Sequence, residues 1–592
     1  MKLSLSRMIL VAVVMLAALV VPRSAAAQTA PAGNAHPEQQ MLSGGGGANP
    51  FGEIQKSTMS VAQKAAFAKA VDLAPLRDLA VLHDGRVKIL DSLARETVAT
   101  ICDRKDYIDF EPTDGGGYRK VKQDPLFTLL DIVIDPAYYL DKPLIGINYL
   151  PLREMFIEQT VQGADARERW KRLGRLTPEM IEQAAPAILS GGKLDLQIDR
   201  AVNKLSQAME LYRGSDANLD MVAADAPDKP WLNIAELPTD NPIRKAAAEL
   251  GAAWRKGDAP GVNAAAKVLA AELPKINSAQ YPQGRRTLER VYNASKPFEW
   301  GFWLYAGALI SLLLAFGTQR PWLKWLGIAF LAGAVGMHGF GFATRCIVAE
   351  RFAIQNQFES MTGVSLFAAI VGLTLAISKR QLLFAAAVAA VGFMILITAT
   401  QTGIPGSSIN REAAILNTSV LLKYHVTIVL LSYGLISLGM ITSVFYLVTY
   451  YISRSRANSN GPAALPSAGT IEVSAAALGI DGAPAGGTAR VLHDLDKAQM
   501  TILQLAFWAL GVGILLGAWW ADHSWGRWWA FDPKELWALL TWVVYLVVVH
   551  VRKADVKNKA LLTAWLSLLG FIVMLWCYFG VNLLLPGLHA YA

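Results

Sequence analysis

Cysteine is scarce in this chain. Cys102, Cys346 and Cys577 are the only three in 592 residues, and none sits in a CxxC or CxxCH spacing. That excludes a c-type cytochrome and a thioredoxin-like reductant. Cys102 and Cys346 would both face an oxidising compartment, where a mutual bond and two lone buried thiols are open readings. Cys577 lies in an apolar run and reads as packing. Charge is scarce too: 17% of residues are charged against 53% hydrophobic, and the mean hydropathy of +0.32 excludes a wholly soluble protein of this size. Histidine is also sparse, with eight in all, so chemistry that needs imidazole has few places to sit.

The apolar residues are unevenly placed. From about Lys56 to Lys296 the chain reads as soluble sequence, whereas almost every long apolar run lies after Phe298. Lys2 and Arg7 precede an apolar run from Met8 to Val21, then Ala25-Ala26-Ala27 and Gln28, the layout of a secretory signal (1–27) cleaved near Ala27. An uncleaved anchor is the other reading, and either leaves the residues after Gln28 on the outer side. Residues 28–50, rich in Ala, Gly, Gln and Pro, are expected to be a flexible tether. Residues 51–297 read as an extracytoplasmic soluble domain, mainly helical, in which Thr177-Pro178-Glu179 and Asn241-Pro242 each set a capping residue before a first-turn proline. Within it LAVLHDGRVKILDSLARETVATIC, Leu79 to Cys102, begins like a strand, turns at Gly85 and ends like a helix. Its charges, from His83 and Asp84 to Arg95 and Glu96, fit a solvated face or a docking surface.

Residues 298–592 are expected to be the membrane domain. Apolar runs of about 17 to 25 residues suit a hydrocarbon core of about 30 Å. Eight helices are expected, at 301–318, 322–344, 361–378, 381–400, 422–451, 500–521, 535–551 and 560–582. The fold class is therefore an all-α polytopic membrane protein with an N-terminal, mainly helical extracytoplasmic domain. A net charge of +8 would suggest nucleic acid in a soluble protein, but here it gathers in short loops at Arg320 and Lys324, Lys379 and Arg380, Arg454 and Arg456, and Arg552 to Lys559. Basic loops stay inside. These loops, with the flexible linker 452–499, are therefore expected in the cytoplasm, and membrane lipid rather than nucleic acid is the partner. Thr344–Ser360, Gln401–Leu421, Asp522–Lys534 and the tail from Leu583 then face outward, in a protein of the cytoplasmic membrane.

One of these outer loops concentrates tryptophan. HSWGRWWAFDPKELWALLTW, His523 to Trp542, follows Trp519 and Trp520 and holds Trp525, Trp528, Trp529, Trp537 and Trp542. An interfacial aromatic belt is one reading. The other rests on spacing: Trp525, Trp528, Trp529 and Asp532 fall at i, i+3, i+4 and i+7, one face if the loop is helical, with Arg527, Asp532, Lys534 and Glu535 interleaved. A flat apolar ligand with negative groups fits such a surface, rings on its faces and cations at its carboxylates. Haem is that ligand, and its iron needs axial ligands such as neutral imidazole.

The membrane half offers His338, His425, His493, His523, His550 and His589. His425 stands at the outer entrance of the fifth helix and His589 just beyond the outer end of the eighth, so a bis-histidine haem beside the tryptophan loop is available. His550 ends the seventh helix about 15 residues, roughly 23 Å, below the loop and cannot ligate the same haem. At membrane depth it is a functional candidate or a mark of the inner interface. His338, in the second helix, is a candidate partner that the helix bounds place nearer the outer face. Asp532, just before Pro533, has two readings, a cap of the following helix or a residue that acts on the chemistry.

WGRWWAFDPKELWALLTWVVY resembles the tryptophan-rich "WWD" outer loop of the CcsA/ResC family of system II cytochrome c biogenesis, with Phe531 where that family has tryptophan. The resemblance implies a haem platform at Trp525, Gly526, Arg527, Trp528, Trp529, Asp532 and Trp537, within a WWD loop at 522–537. It also implies haem iron ligation by His425 and His589 outside, and a second site at His550. RCIVAERFAIQNQFES, Arg345 to Ser360, resembles the family's segment after the second helix and makes His338 the best candidate partner of His550. Haem b would enter near His550, move to the outer site and be joined to CxxCH of apocytochrome c. The implied partners are a ResB-type subunit, with which the chain would form a synthetase, and a thioredoxin-like thiol reductant. A relay that hands haem to a separate ligase and a non-enzymatic assembly scaffold are the alternatives. The N-terminal domain is similar to an extension seen in some CcsA-like proteins.

Overall fold

The computed structural model describes residues 49–54, 59–112, 118–189, 195–215, 218–226, 229–379, 382–404, 406–409, 420–459 and 487–585. The signal segment, almost all of the tether, most of the linker and His589 lie outside the described residues. The described residues divide into two compact units, one up to Ala294 and one from Ser295.

In the N-terminal unit, strands β1 (Ala80–His83) and β2 (Arg86–Ile89) form a hairpin whose turn places Asp84 and Gly85 at positive φ, 51° and 67°. A short polar residue and a glycine are the types that accept this conformation. The strands β3 (Ile108–Pro112), β4 (Tyr118–Lys122), β5 (Ile145–Gly146), β6 (Arg175–Leu176), β7 (Asp220–Val222) and β8 (Leu232–Asn233) follow, and the four-stranded sheet runs β2-β1-β7-β8. Helices surround it, among them α1 (Val61–Ala70), α2 (Leu90–Cys102), α3 (Pro125–Ile134), α4 (Pro242–Lys256), α5 (Ala259–Glu272) and α6 (Gln283–Ser295). Asn241 caps α4 through its side chain before Pro242, as the sequence predicts.

The core of this unit closes on Trp254, whose ring meets Phe67 edge-on at 5.2 Å and tilts against Phe127 at 4.9 Å. Beneath it Asp131 accepts hydrogen bonds from Trp254 Nε1 (2.8 Å), Tyr139 (2.7 Å) and Lys64 (2.8 Å), and Lys64 also reaches Asp135 (2.7 Å). Lys64, Asp131 and Asp135 are wholly buried. Such a group holds because each charge has a partner. The charged run Leu79–Cys102 is organised the same way. Arg86 donates to Glu289 on α6 at 2.9 Å, Glu289 accepts from Ser92 at 2.6 Å, Lys88 pairs with Glu96 at 2.6 Å, and Asp91 accepts from Arg77 and Arg95. Most of its charge is therefore internal rather than a solvated face. Cys102 is a free, buried thiol pushed up to about 12 by that burial.

The membrane unit has, among the described residues, eight helices long and apolar enough to cross a bilayer. They are α7 (Pro297–Thr318), α8 (Pro321–Ala349), α9 (Gln357–Lys379), α10 (Leu382–Gln401), α11 (Val420–Ser459), α12 (Gly487–Trp525), α13 (Pro533–His550) and α14 (Lys559–Leu575). The architecture is all-α and polytopic, as expected. α7 packs on α8 and α10, α9 on α10 and α11, and α11 on α12 and α14. Small residues permit these approaches: a Cβ on Gly392 would stand 2.7 Å from the Tyr305 ring, and one on Gly434 2.8 Å from the Val364 carbonyl oxygen. Some polar side chains pair across helices inside the bundle, as where Gln499 donates to Ser443 at 2.7 Å.

Candidate functional site

The tryptophan loop joins α12 to α13 at one end of the bundle, here the loop end. It is not helical, so the single aromatic face expected from the i, i+3, i+4, i+7 spacing does not form. α12 stops at Trp525 because Gly526 takes φ 69°, and Phe531 sits at φ 54° before Asp532 and Pro533. Proline disfavours helical backbone in the residue before it, so Asp532 is extended (ψ 144°). Asp532 is the cap of α13: its carboxylate accepts from Lys534 N at 3.2 Å, while Glu535 accepts from Asp532 N at 3.2 Å and Ala530 N at 2.9 Å. The loop is thus held from below by hydrogen bonds and turns aromatic rings outward. Trp528 is 56% and Phe531 74% exposed, and Arg527 is exposed as well. Trp525 packs edge-on against the buried Trp520 at 4.8 Å, and Trp537 against Trp576 at 5.8 Å.

Beside the loop lies an open cleft of about 1200 Å³, its solvent-filled mouth included. His425 lines it, together with Lys423, Tyr433, Trp520, Lys534 and Tyr578. The imidazole Nδ1 of His425 lies 2.7 Å from the Gly513 carbonyl, and since a carbonyl only accepts, Nδ1 is the protonated nitrogen. Nε2 is then the nitrogen bearing the lone pair, the tautomer a metal ligand needs. The ring fits because Gly517 has no side chain, a Cβ there standing 2.5 Å from His425 Cε1. Gly513 and Gly517, a small-xxx-small pair on α12, let α11 approach and seat the histidine. That spacing is legible in the sequence and is the signal that sequence reasoning passes over. The cleft's far wall carries Tyr578, in a π-helical turn at Trp576–Gly580 that interrupts the eighth span, a distortion frequent at functional sites. The Tyr578 hydroxyl bonds to Ser360.

The segment between α8 and α9 forms another wall. Arg345, wholly buried, donates to Glu359 (3.0 Å) and to the carbonyls of Gly406 (3.0 Å), Ser407 (2.7 Å) and Ser408 (3.1 Å), and Arg351 holds the other oxygen of Glu359 at 2.7 Å. Buried charge in a bundle interior needs such pairing. It fixes the loop that brings Asn356 and Gln357 to the cleft.

The inner pair is not formed. His338 is wholly buried, accepts from the Tyr305 hydroxyl at Nδ1 (3.2 Å) and donates from Nε2 to the Thr362 carbonyl (2.9 Å). Both ring nitrogens are occupied by neighbouring helices. His550 ends α13 exposed, its Nδ1 bonded to the Leu546 carbonyl at 2.8 Å. By helical rise His338 stands about 26 Å along α8 from its start at Pro321, whereas His550 lies at the opposite end of the bundle from the loop. Axial ligands share one iron, and these two histidines do not meet.

The fold and cleft define the class: a polytopic membrane protein, with eight spans among the described residues and a histidine-bearing cleft beside a tryptophan-rich loop. Residues 354–589 match the family model described as Cytochrome C assembly protein. The cytochrome c biogenesis protein CcsA of Synechococcus sp. WH7803 is 35% identical over 176 residues, 29% of this chain and 55% of the relative. CcsA of Trieres chinensis is 29% identical over 306 residues, 51% of this chain and 97% of the relative. Protein NrfI of Wolinella succinogenes is 23% identical over 527 residues, 86% of this chain and 53% of the relative. The chain spans about half the length of the Synechococcus and Wolinella relatives. Over its membrane half the chain is similar to the CcsA-type cytochrome c biogenesis proteins.

Proposed function

We propose that the membrane unit takes haem b as cargo, holds it at the loop end on the outer face of the cytoplasmic membrane, and presents it for attachment to the CxxCH cysteines of apocytochrome c. The observation that carries this reading is His425, tethered through Nδ1 to Gly513 so that Nε2 is the ligating nitrogen, in a cleft flanked by the tryptophan loop. Metal-bound histidines are usually oriented in this way, by a hydrogen bond from the other ring nitrogen. The outward rings of Trp528 and Phe531 supply an apolar shelf for a flat ligand. His589 is the proposed second axial ligand.

Attachment adds each cysteine S–H across a vinyl double bond, sulfur to one carbon and hydrogen to the other, without net oxidation. The protein's part is therefore to bind, orient and exclude. Cysteine must arrive as the thiol, which motivates a thioredoxin-like reductant as partner. With His338 sealed by Tyr305 and Thr362, the ResB-type subunit is the proposed source of the second ligand of a haem at His550. The test is co-expression of this chain, a ResB-type subunit and a CxxCH-containing apocytochrome in cells lacking their own pathway. Covalent haem on the cytochrome is expected. Its absence, with haem retained on this chain, would refute direct attachment and favour a relay.

A further inference from the structure

The walls of the loop-end cleft differ in character. Along α11 they are apolar, with Leu422, Val426, Val429 and Leu430, yet two cations, Lys423 and Lys534, line the same space from different helices. Among the described residues lining it, none is aspartate or glutamate. The neighbouring carboxylates stand outside the lining: Glu359 is held by Arg345 and Arg351, Glu535 accepts from the backbone N–H of Ala530 and Asp532, and Asp532 caps α13 while its charge acts on Lys534. An apolar cleft with two converging positive charges and no lining acid concentrates anions that also have a large apolar body.

We infer that Lys423 and Lys534 are the carboxylate-binding residues of this cleft, each taking one of the two carboxylates of a porphyrin whose iron faces His425. The inference rests on the proposal that haem is the cargo. It adds the direction in which the cargo lies: carboxylate edge toward the two lysines and the opposite, vinyl-bearing edge away from them. A lipid phosphate would also answer the two charges, but it has no use for the lone pair on His425 Nε2 or for the rings of Tyr433, Trp520 and Tyr578 around it.

The test titrates the full chain in detergent with haem and with haem dimethyl ester, which keeps ring and iron but hides both carboxylates. Haem is expected to bind about tenfold tighter than the ester or better, the scale of a charge-assisted contact. The double variant Lys423→Met with Lys534→Met lowers haem to the level of the ester and leaves the ester where it was, and arginine at both positions restores the preference. Equal binding of haem and ester by the wild type, each with a Soret band that depends on His425, overturns the lysine assignment and leaves the haem cargo standing. Binding of neither overturns both. A preference that persists in the double variant, or displacement of haem and ester alike by phosphatidylglycerol, also overturns the assignment.

Discussion

Gly517→Ala tests whether the seat of His425 matters more than the bundle around it. A Cβ at this position would lie 2.5 Å from His425 Cε1 and 2.9 Å from Nδ1, against ordinary contacts of about 3.5–4.0 Å. The atoms in the way belong to the tip of a side chain, so the ring withdraws by about 1 Å while the helices stay. That stretches the 2.7 Å bond to the Gly513 carbonyl to the limit of a hydrogen bond. The bond itself is worth about 0.5–1.5 kcal/mol, and losing the orientation of a metal ligand typically costs about 10–100-fold in affinity. The expected outcome is haem affinity lower by about 10–100-fold, with an altered Soret band and an unchanged melting temperature. Gly339→Ala on α8, where an added Cβ meets nothing within 4 Å, is the control and should bind as wild type. Titration followed at the Soret band, beside thermal melting by intrinsic fluorescence, reads both. A Gly517→Ala protein that binds haem as tightly as wild type, with the same spectrum, would refute the reasoning.

Three other perturbations have definite expected outcomes. Asp532→Ala should cost about 0.5–2 kcal/mol through loss of the α13 cap while Asp532→Asn keeps cap and function; an Asn variant as inactive as the Ala variant in the cytochrome assay would assign Asp532 to chemistry instead. Lys64→Met leaves the buried Asp131 and Asp135 without their cation and should destabilise the N-terminal unit by about 3–5 kcal/mol, read as an early fluorescence transition of Trp254. Asp220 is raised to about 6 by burial and by the neighbouring charge of Glu236. The folded state then binds the proton more tightly than the unfolded one, so this group's contribution is full below about pH 4 and is lost as pH rises toward 6. Asp220→Asn should flatten the pH dependence of melting across that window, and an unchanged slope would count against the burial argument.

Local rules decide which parts of the fold are legible in the sequence. Each of the eight expected spans falls on one of the eight long apolar helices among the described residues, because run length against bilayer thickness is a one-dimensional property, but several helices outrun the apolar core: α8 ends at Ala349, α11 at Ser459, and α12 begins at Gly487, while the eighth runs on through the π-helical turn. The strand-to-helix reading of Leu79–Cys102 with its turn at Gly85 succeeds for the same reason, since Asp84-Gly85 is turn chemistry, whereas the second strand of the hairpin, Arg86–Ile89, is seen only in the structure. The illegible parts are mostly non-local. His338 looks like a ligand because nothing in its own helix reveals the Tyr305 hydroxyl and Thr362 carbonyl that occupy it. The charges of Leu79–Cys102 look solvated because Glu289, which takes Arg86, is about 200 residues away in the chain. The tryptophan loop looks like a helical face only if periodicity outweighs Gly526 and Pro533, which break it. Lys423 and Tyr578 join the cleft only once α11 and the π-helical turn are packed together.

The central claim is that His425 is an iron ligand at the loop end. The measurement that tests it most directly is the reduced optical spectrum of the purified full chain, compared between wild type and His425→Gly with and without added imidazole. Wild type should carry low-spin haem, His425→Gly should lose or shift that spectrum, and imidazole should restore it. A wild-type protein that takes up no haem, or a His425→Gly spectrum identical to wild type, would contradict the account.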